Sequence, residues 1–230
     1  MPTPDSDRRD TDRRATAAYI APFLVYVGLM GIEHAAKLPV QVFYPIRCTV
    51  SAAVLLLLSR PLLSLRPSRA LASIALGVAV FLIWIGPDLL FSYRHFWLFE
   101  NSLFGSAASS APPELRASLA FRIVRTLGST ALVPIIEELF WRGWLMRWLI
   151  DNRFLKVPLG TYAPSAFWLV ALMFASEHGP YWEVGLAAGV LYNWWTVRTH
   201  NLADCILAHS VTNGLLSAYV LMADRWQYWL

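Results

Sequence analysis

The sequence is a succession of long apolar blocks broken by short polar punctuation. A helix needs about 20 mostly apolar residues to cross the hydrocarbon of a bilayer, and most of these blocks approach that length. Only closed hydrogen-bonded elements survive in lipid, so blocks of this length predict helices. The expected fold is an all-α, polytopic transmembrane helical bundle of about seven to eight membrane helices. The expected spans are 17–33, 45–59, 69–86, 119–149, 164–182, 183–199 and 202–222. Composition agrees: 57% of residues are hydrophobic and 15% are charged, against about 25% charged in soluble domains.

Charge placement excludes some functions. The net charge of +4 is modest, and Arg8, Arg9, Arg13 and Arg14 flank an apolar run rather than forming a basic folded face. Nucleic acid is therefore not an expected partner; the bilayer is. Residues 1–15 read as a disordered cytoplasmic lead, and 16–230 as one membrane-embedded domain. The first apolar run lacks a small-residue cleavage site and reads as an uncleaved first span. Lys and Arg counts near the span ends place the N-terminus in the cytoplasm, with Arg94 and Arg116 of the long 87–118 segment against that count. The first half of that segment reads as interfacial. Its "GSAASSAPPE" half reads as a loop, with Ser110 or a neighbour as helix cap. Cys48 and Cys205 lie in apolar stretches and read as small buried hydrophobes.

Four polar features lie inside apolar blocks: Glu137 and Glu138 with Arg142, Glu177 with His178, Asn193, and His209 with Asn213. Each is expensive in a membrane unless paired, and each is a candidate functional group. Glu138 and Arg142 are spaced i,i+4 and can form an ion pair on one helix face. Glu137 is rotated by about 100° from Glu138 and lacks such a partner. His209 and Asn213 share a face by the same spacing. Asn193, between apolar residues and two tryptophans, reads as a packing or interfacial residue, and Glu183 as an interface-belt residue. Carboxylates, histidines and an amide on separate helices are suited to activating a water molecule, with or without a divalent metal. No HExxH, Gly-x-Ser-Gly or Gly-x-Gly-Asp motif is present.

"EELFWR", "FASEH" and "HSVTN" fit the patterns E-E-x-x-x-R, F-x-x-x-H and H-x-x-x-N, in that order. Over roughly 117–222 the chain resembles the CPBP family, which includes the CaaX prenyl endopeptidase and bacterial relatives of the Abi type. The whole chain also resembles bacterial CAAX prenyl protease-related proteins that occur with exosortase sorting systems. The resemblance implies an endopeptidase of the bacterial inner membrane acting on a protein or peptide. In it Glu137 activates water with help from His178. Glu138 orients the site with Arg142 and Phe174, and His209 and Asn213 complete it. It leaves open whether zinc is held at Glu137, His178 and His209 or the site is metal-free. A non-catalytic membrane interaction or immunity protein on the same scaffold is the alternative; a transporter is disfavoured by the absence of an internal repeat. One difficulty is depth. If both helices stand upright, His178 and His209 differ by roughly 10 Å along the membrane normal.

Overall fold

The computed structural model describes residues 4–109 and 111–229, with side chains from residue 12 onward. Among the described residues the chain is helical, with an isolated bridge between Asn101 and Gly105 and no strand. Seven rods carry the fold: α1 (Pro4–Ala35), α2 (Val40–Leu62), α3 (Ala70–Phe91), α4 (Leu119–Trp148), α5 (Pro164–Ser176), α6 (Trp182–Thr199) and α7 (Leu202–Ala223). Five of them, α1 to α4 and α7, are long and apolar enough to cross a membrane; α5 is a shorter apolar helix. The bundle is therefore polytopic, as the apolar blocks predict.

Several boundaries differ from expectation. The helix of α1 begins at Pro4, within the lead expected to be disordered; residues 1–3 lie outside the described residues. α3 runs through Pro87 to Phe91 rather than ending at 86. α5 ends at Ser176 rather than 182, because Gly179 and Pro180 break it into a 3-10 turn before α6 starts. Ser110, a named cap candidate, lies outside the described residues; Ser118 caps α4 by accepting from the Phe121 N–H.

α1 packs on α2, α3 on α7, and α5 on α6. The α3–α7 contact is close because Gly77 has no side chain. A methyl there would meet the Ala208 carbonyl at 2.5 Å. Thr212 then reaches across to donate to the Gly77 carbonyl at 2.9 Å.

The connections gather at two ends. At one end Asn201 donates to the Arg66 carbonyl, His200 to the Leu159 carbonyl, and Ser68 to Asp204. This end carries Arg60, Arg66, Arg69, Arg153, Lys156 and Arg198. At the other end the 92–112 loop is pinned to the α5–α6 turn. Arg94, 3% exposed, donates to the Pro180 carbonyl at 2.7 Å and to Glu183 at 2.9 Å, and lies 3.9 Å from the centre of the Tyr181 ring. Tyr93 donates to the same carboxylate at 2.7 Å. Partial burial, then that bond, pushes the Tyr93 hydroxyl up to about 12, so it stays a donor. Glu183, read as an interface-belt residue, is thus a loop anchor.

Candidate active site

α4 is long and locally unwound. Pro134 lacks an N–H and crowds the preceding turn, and a π-helical turn at Gly128–Leu132 precedes it. A second π turn, Leu139–Leu145, follows the glutamate pair. Such turns aim side chains and carbonyls out of the regular helix. The Ser129 carbonyl in the first turn accepts from Asn213 Nδ2 of α7 at 2.9 Å.

Glu138 is fully buried, and its carboxylate is fully used. Oε1 accepts from Arg142 Nη1 at 3.0 Å and from His209 Nδ1 at 2.9 Å; Oε2 accepts from the Cys205 thiol at 3.1 Å. The expected Glu138–Arg142 pair is therefore present and carries two further partners. Arg142, also fully buried, donates through Nε to Asn193 Oδ1 at 2.8 Å and through Nη2 to the Gly189 carbonyl at 3.3 Å. Asn193 Nδ2 in turn donates to the Phe167 carbonyl at 2.8 Å. A continuous polar layer thus ties α4, α5, α6 and α7 together, with each buried charge compensated.

This layer fixes His209. A carboxylate can only accept, so Nδ1 carries a proton and Nε2 is the ring nitrogen left facing Glu137. The Tyr192 ring stacks on the imidazole with centroids 4.9 Å apart, and its hydroxyl donates to Thr212 at 2.8 Å. His209 Nε2 stands 3.9 Å from Glu137 Oε2. That oxygen is buried and has no hydrogen-bond partner among the described residues. Of the two adjacent glutamates, one is saturated and the other is not.

His178 lies in the turn after α5. Its Nδ1 donates to the Phe174 carbonyl one turn back at 2.8 Å, which folds the ring down along the helix and leaves Nε2 as acceptor. The depth difficulty is removed by this fold-back: the Phe174 ring, 1% exposed, touches both histidines, at 4.8 Å from His178 and 6.0 Å from His209. Gly185 makes room for His178, since a methyl there would lie 3.0 Å from its Nδ1. The Arg142 guanidinium covers the same phenyl ring at 4.6 Å.

Glu137, His178, His209 and Asn213 line one cavity of about 170 Å³. Tyr228 and Trp229, beyond α7, close part of its wall; Tyr228 is held by a 2.8 Å bond to Asp88. A groove of about 430 Å³ adjoins this cavity and shares Glu137, His178, Arg125, Ser129 and Val133 with it. Phe23, Val27 and Met30 of α1 form its other side. Glu177 opens onto this groove rather than into the polar layer.

The metal reading is not matched by a ready ligand set. Among the described residues no three His, Cys, Asp or Glu side chains are gathered to hold an ion. Glu137, His178 and His209 share the cavity, but both Nδ1 atoms are engaged and only the two Nε2 atoms and Glu137 remain to act on a bound molecule.

Three participants were not assigned to the site from the sequence. Asn193 reads as packing but is the second anchor of Arg142. Cys205 is buried as expected yet donates to Glu138. Its place four residues before His209, on the same face, was the available signal. Tyr192 had none.

Residues 119–215 match the family described as type II CAAX prenyl endopeptidase Rce1-like, and that stretch contains every residue of the three motifs. No curated protein and no solved structure matches the chain. With its apolar helices, the match makes this an integral membrane protein. Over residues 119–215 the chain is thus similar to the type II CAAX prenyl endopeptidase Rce1-like family.

Proposed function

We propose that the chain is an intramembrane endopeptidase that hydrolyses a peptide bond with water activated by Glu137. The observation that carries this reading is the contrast between the glutamates. Glu138 is saturated by Arg142, His209 and Cys205, whereas Glu137 lines a cavity shared with both histidines and its Oε2 has no hydrogen-bond partner among the described residues. In this reading the attacking water sits beside Glu137 and His209, whose Oε2 and Nε2 stand 3.9 Å apart.

In the proposed reaction Glu137 takes one proton of that water, and its oxygen bonds to the scissile carbonyl carbon. A histidine Nε2 accepts the remaining O–H. The carbonyl oxygen becomes an oxyanion facing Asn213, whose Nδ2 makes one hydrogen bond among the described residues, to the Ser129 carbonyl, and has a second N–H to donate. Collapse breaks the C–N bond as the proton on Glu137 passes to the leaving nitrogen, giving a carboxylic acid and an amine. Glu138, Arg142 and Asn193 hold His209 in orientation and do not touch the reacting atoms. The reaction is proposed without zinc, because among the described residues no three His, Cys, Asp or Glu side chains are gathered to hold an ion.

The adjoining groove, walled by α1, is the proposed approach for an extended membrane-anchored peptide. The basic end of the bundle points to a cytoplasmic N-terminus in a bacterial inner membrane. A substrate of an exosortase-linked pathway fits the whole-chain resemblance, and prenylation is not required by the site. The test is cleavage of a membrane-anchored peptide library in proteoliposomes, read by mass spectrometry, with metal analysis of the same sample. Wild type should cleave, and Glu137→Ala and His209→Ala should not. Equal cleavage by all three would sink the proposal.

A further inference from the structure

At the basic end of the bundle lies a second pocket, of about 450 Å³, that shares no lining residue with the catalytic cavity. It sits between α1, the 62–68 loop, the end of α4 and the α6–α7 turn. Its floor holds Arg147, which is 8% exposed. The guanidinium donates through Nε to the Val157 carbonyl at 2.7 Å and through Nη1 to the Gly143 carbonyl at 3.0 Å. Nη2 makes no hydrogen bond, and no carboxylate pairs with Arg147 among the described residues. The contrast with three other buried arginines is direct. Arg47 pairs with Glu33, Arg94 with Glu183, and Arg142 with Glu138. A buried cation without a counter-charge is costly, and here one of its donors is left toward an open pocket.

The rest of the lining fits an anion attached to an apolar body. Ser64, Thr199, His200 and Asn201 supply polar groups, and Leu62, Leu139, Leu202 and Ile206 supply an apolar wall. α7, a 22-residue helix, begins at this pocket, with Asn201 as its cap; its N-terminus adds partial positive charge. Asp204, the acid in that first turn, is already bound by Ser68, Ser73 and the Arg69 N–H. Arg60, Arg66 and Arg69 lie in the connection that walls the pocket. Basic pockets between helices at this level of a membrane suit phosphate headgroups.

We propose that this pocket binds a phosphate group through Arg147, and that an anionic phospholipid is the source that also fills its apolar wall. The site is independent of the peptidase reading. The test uses the full chain, delipidated in detergent, with short-chain phosphatidylglycerol, phosphatidylcholine of the same acyl length, and inorganic phosphate. Binding is read by native mass spectrometry and by the shift in melting temperature. Phosphatidylglycerol should bind about tenfold or more tighter than phosphatidylcholine. Ser64→Glu, at an exposed loop position, should weaken that binding about tenfold by repulsion and leave the lipid-free melting temperature unchanged. Arg147→Gln should abolish it; if that variant does not fold, Ser64→Glu decides alone. Inorganic phosphate binding as tightly as the lipid, and equally sensitive to Ser64→Glu, would support the phosphate site and assign it to a free anion. Equal binding of the two lipids, or phosphatidylglycerol binding untouched by Ser64→Glu, would overturn the proposal.

Discussion

Replacing each adjacent glutamate by glutamine should give opposite signatures. Glu138→Gln removes the charge facing Arg142, which is 0% exposed and has no other carboxylate among the described residues. It also replaces an acceptor oxygen by an amide donor facing either His209 Nδ1 or the Cys205 thiol. Breaking a buried pair by removing one partner costs about 3–5 kcal/mol, a large share of the roughly 5–15 kcal/mol that holds a domain together. At about 2–4 °C per kcal/mol for a chain of this size, the melting temperature should fall by roughly 6–20 °C. Glu137→Gln removes a charge whose buried oxygen has no hydrogen-bond partner among the described residues. Its effect on stability should stay within about 1 kcal/mol and can be a gain. The assay is thermal unfolding in detergent, followed by tryptophan fluorescence, on protein of matched purity. Equal melting temperatures for the two variants, or a larger loss for Glu137→Gln, would refute the assignment of Glu138 as the saturated partner.

Three further outcomes follow from the geometry. Gly185→Ala places a methyl 3.0 Å from His178 Nδ1, so cleavage should fall by at least about tenfold with only a small change in melting temperature. Asn193→Ala removes the acceptor of Arg142 Nε; a hydrogen bond to a charged group contributes about 1.5–3 kcal/mol, and thermal unfolding should show a loss of that size together with reduced turnover. Arg94→Gln frees the loop that clamps Pro180 and Glu183 beside His178, and should raise hydrogen exchange across 177–183 while leaving the exchange of α7 unchanged.

Much of the site is legible in the sequence because i,i+4 spacing on a helix is local geometry. Glu138 with Arg142 and His209 with Asn213 follow from it directly. Helix ends are less legible. Gly179 and Pro180 end α5 six residues before the expected boundary, and the fold-back of His178 onto the Phe174 carbonyl depends on that break. Partners supplied by distant helices are not legible at all. Asn193 is separated by 51 residues from Arg142, and Cys205 by 67 from Glu138, and an asparagine or thiol in an apolar block has an adequate packing reading by itself. The same holds for Arg147, which is buried and has no ion-pair partner among the described residues, a state that its place in the sequence does not disclose.

The central claim is that Glu137 makes the attacking water reactive. Its most direct test is single-turnover cleavage of a membrane-anchored peptide in proteoliposomes made in ¹⁸O-water, comparing wild type with Glu137→Gln. General-base catalysis contributes about 10²–10⁴-fold. Wild type should therefore place one ¹⁸O in the new carboxyl group, and the folded Glu137→Gln variant should cleave slower by at least about 10²-fold. Cleavage by Glu137→Gln at the wild-type rate would contradict the account.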